Sequence, residues 1–558
     1  MLMITGFRLI GLSILASVSM QTLNDSEFRS LKDHSSEEKS IDCSPPNYHR
    51  FKKGKEFSHV PILPGWGHHH YPISTKSDSA QLYFDQGLSM YYSYHPDEAE
   101  ASFRESAKLD PKCAMAYWGM ALSNGPVYNS TAYYLDQSTV DVLKRLKSAD
   151  LNASSKEMEL IQAIIERYST FKLRDARIEM DDQYAYSMKE LVGKYPEDFE
   201  IKALYVDAVM LRHAWDFWDG EGMPKEWTPE LLDLCRQILH KDSVHPGGLH
   251  YQIHLCEASR HPELALHSAD VLKEAMPGVA HMVHMTSHTY ERNALYEEAI
   301  EMNEKAIALG GGGNLHYRAV ETVAAMNAGN YKKAMELASI CRDAFSSPSS
   351  TNSAQYFLFP TFVQIRFGKW DQILETSPSG SSSYASIMIA FAKGLASVRN
   401  NRVTSAKSYL DQIRALSTNS ELQSPDLPLH DSPIKAVQVA YKILEGEIFA
   451  SEKKIDSASS SFLEAIRNED EMVFYQPRNW LIPARQFFGA FLLTNGKTGA
   501  AQTCYEEDLI RNPGNGWSMV GLYQCLTRRG ESNKAKAYQR KYMLVFANAE
   551  QIPDASVY

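Results

Sequence analysis

Two His-x3-His pairs set the period of this chain. His250 and His254 stand 34 residues before His284 and His288. Two pairs of an infrequent residue on one interval mark a repeated structural unit. Eight of the 19 histidines fall between His245 and Ala299. The segments around them carry apolar residues at helical spacing, and no alternating strand pattern accompanies them. A helix–turn–helix unit cannot bury its apolar face alone, so such units stack on their neighbours.

The same unit is legible elsewhere. "AQLYFDQGLSMYYSYHPDEAEASFRESAKLDPKCAMAYWGMAL" (Ala80–Leu122) has small residues at Gly87, Ala99 and Ala107, aromatics at Tyr94 and Phe103, and a stop at Pro111. That is the pattern of a tetratricopeptide hairpin. It recurs at Asn293–Leu309, Gly329–Phe345, Gly496–Pro513 and Gly530–Tyr542. The expected fold class is all-α: a tetratricopeptide-like α-solenoid of helix-turn-helix repeats forming one curved superhelix over residues 65–550, with central His-rich repeats at 245–330. Ser346–Ala354, Ser377–Ser386 and Ser417–Pro433 are rich in Ser, Pro and Asn and are expected to be loops joining helix pairs.

The N-terminal residues carry a different signal. Arg8 precedes the apolar run Leu9–Val18, with small residues at Ser17 and Ser19. The run is too short to cross a bilayer and fits a signal peptide over 1–20, cleaved near Ser19–Gln21; the alternative is an uncleaved anchor. Residues 21–64 are polar and aperiodic, the composition of a disordered leader. The mature chain is expected to be secreted or luminal in the secretory pathway, with no transmembrane anchor. Net charge is −11 without a basic tract, which argues against nucleic acid or an anionic membrane as partner. Seven cysteines in 558 residues are too few for a disulfide scaffold.

The repeat register places the histidines. Aligning Ala265, Ala299 and Ala334 brings three hairpins into phase. The first helix of each unit lines the concave face, through repeat positions 2, 5, 9, 12 and 13. Position 5 is His250 and His284, position 9 is His254 and His288, and position 2 is His281 and His316. Position 12 gives Glu257 and position 13 gives Arg292. An i, i+4 pair shares one helix face, and packed helices lie about 8–10 Å apart, so imidazoles from adjacent first helices converge. Clustered cationic imidazoles repel, and neutral ones each need a partner; a transition metal ion satisfies both demands. His250, His254, Glu257, His281, His284, His288 and His316 are therefore the candidate metal ligands, Glu257 either as a ligand or as an acceptor orienting an imidazole. The competing expectation is a set of ordinary polar contacts in a peptide groove.

His245, His261 and His267 fall outside the groove positions and are expected to be bystanders. "HHH" at His68–His70 is either a lid or a solvated loop. Met282 and Met285, off the groove face, are expected in the core. Trp215 and Trp218, before the Gly/Pro-rich insertion Gly220–Pro229, either shape a substrate pocket with Arg292 or pack a long loop. Arg485 either points inward or sets the start of a helix. No phosphate loop, dinucleotide fingerprint, nucleophile elbow or His-Glu-x-x-His zinc motif is present.

The chain resembles a group of tetratricopeptide-repeat proteins widespread in bacteria. The resemblance rests on "PISTKSDSAQLYFDQGL", "LDPKCAMAYWGMALSNGPVYN", "HPGGLHYQIHLCEAS", "HMVHMTSHTYER" and "RNPGNGWSMVGLYQCL". It covers most of 65–550 and implies the repeat fold and a His-rich groove, with no established reaction. The group implies an asparagine near "YSYHPDEA", where this chain has His95. The expectation is a secreted metalloprotein with a His-rich centre in its groove. Copper is favoured over zinc or iron, and the chemistry would be that of a metal-dependent oxidoreductase or hydrolase acting on a small molecule. The alternatives are a non-catalytic module binding a peptide or small ligand, and metal storage or delivery.

Overall fold

The structure is a computed structural model. It describes residues 60–129, 137–168, 174–310, 314–346, 348, 350–376, 382–423 and 431–558. The expected signal peptide and almost all of the leader lie outside the described residues. All described residues fall in one compact unit, 40–558.

The described residues form 24 α-helices, with the short 3-10 helices Pro262–Ala265 and Ser420–Leu422 and two isolated β-bridges besides. None of these helices is long and apolar enough to cross a membrane. In order they are α1 Asp78–Tyr92, α2 Pro96–Leu109, α3 Ala114–Ser123, α4 Gln137–Leu146, α5 Ser155–Arg167, α6 Arg174–Lys194, α7 Phe199–Arg212 and α8 Thr228–Lys241. The His-rich repeats follow: α9 Pro246–Glu257, α10 Leu266–Ala275, α11 Ala280–Arg292, α12 Tyr296–Ala308, α13 Leu315–Asn327 and α14 Tyr331–Ala344. Then come α15 Thr351–Arg366, α16 Trp370–Glu375, α17 Ser383–Arg399, α18 Val403–Leu416, α19 Ile434–Ser451, α20 Ile455–Asp470, α21 Ala484–Thr494, α22 Thr498–Arg511, α23 Gly516–Arg528 and α24 Ser532–Val545. Consecutive helices pack on one another through most of this series, as an all-α tetratricopeptide-like solenoid requires.

One packing device appears near both ends. Phe103 on α2 lies between Gly87 on α1 and Gly119 on α3; a Cβ at either glycine would come within 2.8 or 2.4 Å of the ring. Tyr505 on α22 lies in the same way between Gly489 and Gly521, at 2.6 and 2.2 Å. Each second helix thus drives an aromatic ring between two first helices, which a larger residue would hold apart. α15 joins two apolar cores: Tyr356, Phe359 and Val363 pack into the core that begins at Trp66, while Ala354, Leu358, Phe362 and Ile365 pack into the one that ends at Ala535.

Two stretches expected as loops are helical in part. α15 starts at Thr351 because Ser350 and Ser353 form a reciprocal capping box. α17 starts at Ser383, after Ser382 at its N-cap. Serine favours the first residue of a helix as well as turns, and composition alone did not separate the two. The Val60 carbonyl accepts a hydrogen bond from the Tyr83 hydroxyl. All six described cysteines are free and buried.

Candidate metal centre

The centre is built by α9, α11 and α13, the first helices of three successive hairpins. α9 starts at Pro246, and the His245 imidazole caps it by accepting from the Gly248 amide. Gly247 lets α9 approach α1 closely, since a Cβ there would meet the Tyr92 ring at 2.8 Å. That approach brings the Tyr92 carbonyl to His250. Met282 and Met285 on α11 are fully buried.

The six histidines gather into two triads, His250–His254–His281 and His284–His288–His316. Within each, one ring nitrogen per residue lies within 4.8 Å of the other two. Each triad takes an i, i+4 pair from one helix and the position-2 histidine from the next, as the register predicts. In the second triad His288 Nε2 lies 2.9 Å from His284 Nε2 and 3.3 Å from His316 Nε2.

The ring protons are fixed by what lies behind the rings. His250 Nδ1 is 2.8 Å from the Tyr92 carbonyl, which only accepts, so Nδ1 carries the proton. His284 Nδ1 is 2.7 Å from Asn303 Oδ1, and the Asn303 amide donates elsewhere, to the Ala299 carbonyl. His254 Nδ1 and His288 Nδ1 each lie 3.2 Å from one oxygen of Glu257. Burial pushes the Glu257 carboxyl up, but His254 and then His288 more than offset it and hold it at about 2. Glu257 is therefore an ionised acceptor for both rings. All four Nδ1 atoms are donors, and all four Nε2 atoms face the interior. His250 Nε2, His254 Nε2 and both nitrogens of His281 have no hydrogen-bond partner. Burial holds His250, His281, His284 and His316 well below the ordinary histidine value, with neighbouring imidazoles adding to the effect, so these rings are neutral. The Nε2 atoms of His284 and His288, 2.9 Å apart, require a proton or a metal cation between them. Tetrahedral N-ligands about 2.0–2.1 Å from a metal ion stand roughly 3.3 Å apart.

One expectation is corrected here. The imidazoles do not line an open groove: none of the six is more than 3% exposed. The cover comes from elsewhere in the chain. The Tyr94 ring lies against His250, His254 and His281 at 4.5, 5.9 and 5.6 Å between centroids. Tyr128 lies 4.6 Å from His254 and 4.7 Å from Trp215. Gln476 donates to the His288 carbonyl and the Glu291 carboxylate. Tyr94 and Trp215 both hold a left-handed backbone, φ 59°. At other hairpin turns that conformation falls to Gly329, Gly368, Gly496 and Gly530, or to Ala294, Asn401 and Lys453. Bulky residues there carry strain, which the packing against the centre must offset.

The other site residues lie on the far side of this cover. Trp215, Trp218 and Arg292 line a cavity of roughly 890 Å³ together with Phe474, Arg478 and Trp480. Arg292 also holds the end of α9, donating to the carbonyls of Glu257 and Ser259. Burial, and then Arg478, lowers its guanidinium to about 9. Trp218 donates to the Leu255 carbonyl. Arg485 pairs with Asp470 through two hydrogen bonds. His261 and His267 are exposed, apart from the centre.

His245 and His69 depart from expectation, whereas His68 and His70 are exposed as in a solvated loop. His69 is neither lid nor solvated: its Nε2 lies 2.9 Å from Glu200, which also lies 3.5 Å from His245. His70 pairs with Asp85 at 2.7 Å. Sequence reasoning also missed Tyr92, Tyr94, Tyr128 and Asn303. Of these only Asn303 left a signal, a polar residue on the apolar stripe between Ala299 and Ala306.

No family model matches the chain, and no curated protein matches it. Among solved structures, it is similar to a human IFIT1 dimer with PPP-AAAA, 12% identical over 84% of this chain and 91% of that one, TM-score 0.32. It is also similar to the APC/C hetero-tetramer Cut9-Hcn1, 11% identical over 86% and 78%, TM-score 0.29. The P58(IPK) TPR domain is 11% identical over 85% and 99%, TM-score 0.23. Nothing about the centre follows from likenesses this distant.

Proposed function

We propose that this protein is a tetratricopeptide-like metalloprotein whose buried imidazoles bind transition metal, copper before zinc or iron. One observation carries the reading: four imidazoles are fixed as Nδ1–H donors by a carbonyl, an amide oxygen and the two oxygens of Glu257, so their Nε2 atoms turn inward. An ordinary buried polar cluster pairs its donors with acceptors. Here His250 Nε2, His254 Nε2 and both nitrogens of His281 go without a partner, a demand that a bound cation satisfies. The closure of the site by Tyr94 and Tyr128 also weighs against a peptide lying along these side chains.

His250, His254, His281, His284, His288 and His316 are the ligands in this reading, with Glu257 behind the rings. A bound metal would supply Lewis-acid or redox chemistry. The cavity lined by Trp215, Trp218 and Arg292 supports a small-molecule substrate, separated from His254 by Tyr128 and Trp215. Export as a secreted protein belongs to the same proposal, and an N-terminus near Ser19–Gln21 in material from the medium would test it.

Elemental analysis of tag-free protein, reconstituted separately with copper, zinc and iron, tests the metal. Loading is expected, and it should weaken below about pH 6 as the imidazoles protonate. The double change His254→Ala, His288→Ala should abolish it with helix content intact, while His261→Ala and His267→Ala leave it unchanged. Absence of any metal, or equal sensitivity to the surface changes, overturns the reading in favour of a ligand-binding module.

A further inference from the structure

We infer that the centre is binuclear, with one copper ion in each of two equivalent three-histidine sites joined through Glu257; this rests on the metal reading above. The two triads are copies of one site, displaced by one repeat. His250 corresponds to His284, His254 to His288 and His281 to His316. Their geometry repeats with the sequence. The i, i+4 pair stands 4.7 Å apart between ring centroids in both triads. The ring from the following helix stands 5.1 Å from its partner in the first triad and 5.0 Å in the second.

A single ion does not serve both. Ligand nitrogens about 2.0–2.1 Å from an ion lie no more than about 4.2 Å from one another. The ring nitrogens fall into two separate groups of three, each within 4.8 Å, and no histidine belongs to both. An ion in the second triad alone would leave His250 Nε2, His254 Nε2 and both nitrogens of His281 buried without a partner, at a cost of about 1–3 kcal/mol for each.

Glu257 links the two sites without entering either. One of its oxygens takes the Nδ1–H of His254 in the first triad, and the other takes that of His288 in the second. Among the described residues it is the one carboxylate hydrogen-bonded to these six rings, and it supplies a single negative charge. Two cuprous ions leave less uncompensated charge in this enclosed space than two divalent ions would, and imidazole suits copper.

The test is a count. Tag-free apo-protein is titrated with cuprous ion under anaerobic conditions against a chromogenic chelator, and bound copper is confirmed by elemental analysis. Two ions per chain are expected. His281→Ala should retain one ion, His316→Ala should retain one, and the double variant none. The ion kept by each single variant shows that its fold and other site survive; His281→Gln and His316→Gln repeat the test with less loss of volume. A wild-type count of one overturns the binuclear centre and leaves the metal reading standing. A count of zero removes the metal reading itself. Loss of both ions from either single variant with helix content intact also overturns two separate sites.

Discussion

Two buried histidine clusters lie within one residue of each other in this protein, and they solve opposite problems. In the central one, carbonyl, amide and carboxylate acceptors stand behind the rings at Nδ1, and the Nε2 atoms face inward. In the other, His69, Glu200 and His245 also lie within 4.8 Å of one another and by distance alone would pass as a metal site. There the carboxylate stands in front. His245 Nδ1 accepts from the Gly248 amide, so its proton sits on Nε2, directed to Glu200 at 3.5 Å. His69 Nε2 meets the same carboxylate oxygen at 2.9 Å. His69 and Glu200 close as an ion pair, with His69 Nδ1 and His245 Nε2 left outside any hydrogen bond. Residue type and distance do not separate a ligand set from a salt bridge; the side of the ring that the acceptor occupies does.

The largest expected effect breaks the two apart by ligand. A thousandfold excess of copper over Kd should stabilise the central cluster by about 4 kcal/mol per ion, read as a rise in unfolding temperature that a chelator reverses. His69→Ala and His245→Ala should leave that rise unchanged, whatever they do to the baseline. A stabilisation that disappears with His69 or His245 would mean that the N-terminal cluster is a site too.

The next effect is the ion pair itself. Glu200→Gln removes one partner of a buried pair and should destabilise the protein by about 3 kcal/mol. Burial pushes His69 down, but Glu200 more than offsets it and the imidazole ends above its ordinary 6.5. Burial pushes Glu200 up from 4.5, yet His69 and His245 hold it well below. A raised histidine gives its full stabilisation below 6.5 and loses it as pH rises through the folded value. A depressed carboxyl gives its own above 4.5 and loses it as pH falls. The gap between wild type and Glu200→Gln should therefore be widest between 4.5 and 6.5 and narrow at higher pH. The central cluster has the opposite sign. His250, His281, His284 and His316 resist protonation when folded, so metal-free protein should lose stability as pH falls below 6.5. Unfolding curves of metal-free wild type and Glu200→Gln across this range check both; a gap that widens above pH 7 would contradict the assignment.

The sequence register located all six central histidines because position within a repeat is arithmetic once the period is known. Their enclosure was not legible. Tyr94 reaches His254 across 160 residues of chain, and Gln476 reaches the His288 carbonyl across 188. Neither carries a periodic signal. His245 looked idle because the repeat face was the only criterion, and its partner Glu200 lies on α7, outside the His-rich repeats. The fold was legible for the reason the central histidines were: glycines 87 and 119 flank Phe103 at the spacing with which 489 and 521 flank Tyr505.

The smallest effect is the sharpest, because one residue belongs to both clusters. The Tyr92 carbonyl accepts from His250 in the centre, and its hydroxyl donates to the Glu200 carboxylate. Tyr92→Phe deletes the second contact and keeps the first, since the carbonyl is backbone. A hydrogen bond to a buried charged group contributes about 2 kcal/mol, so the variant should be less stable by about that much at pH 6. The ring stays, and with it the close packing of Gly247 that positions α9. Copper uptake should match wild type in amount and affinity. If Tyr92→Phe lowers the copper count, the clusters are coupled through α1 and the distinction between a metal site and a closed ion pair no longer holds. If stability is unchanged, the Tyr92–Glu200 contact contributes nothing and the ion pair stands on His69 and His245 alone.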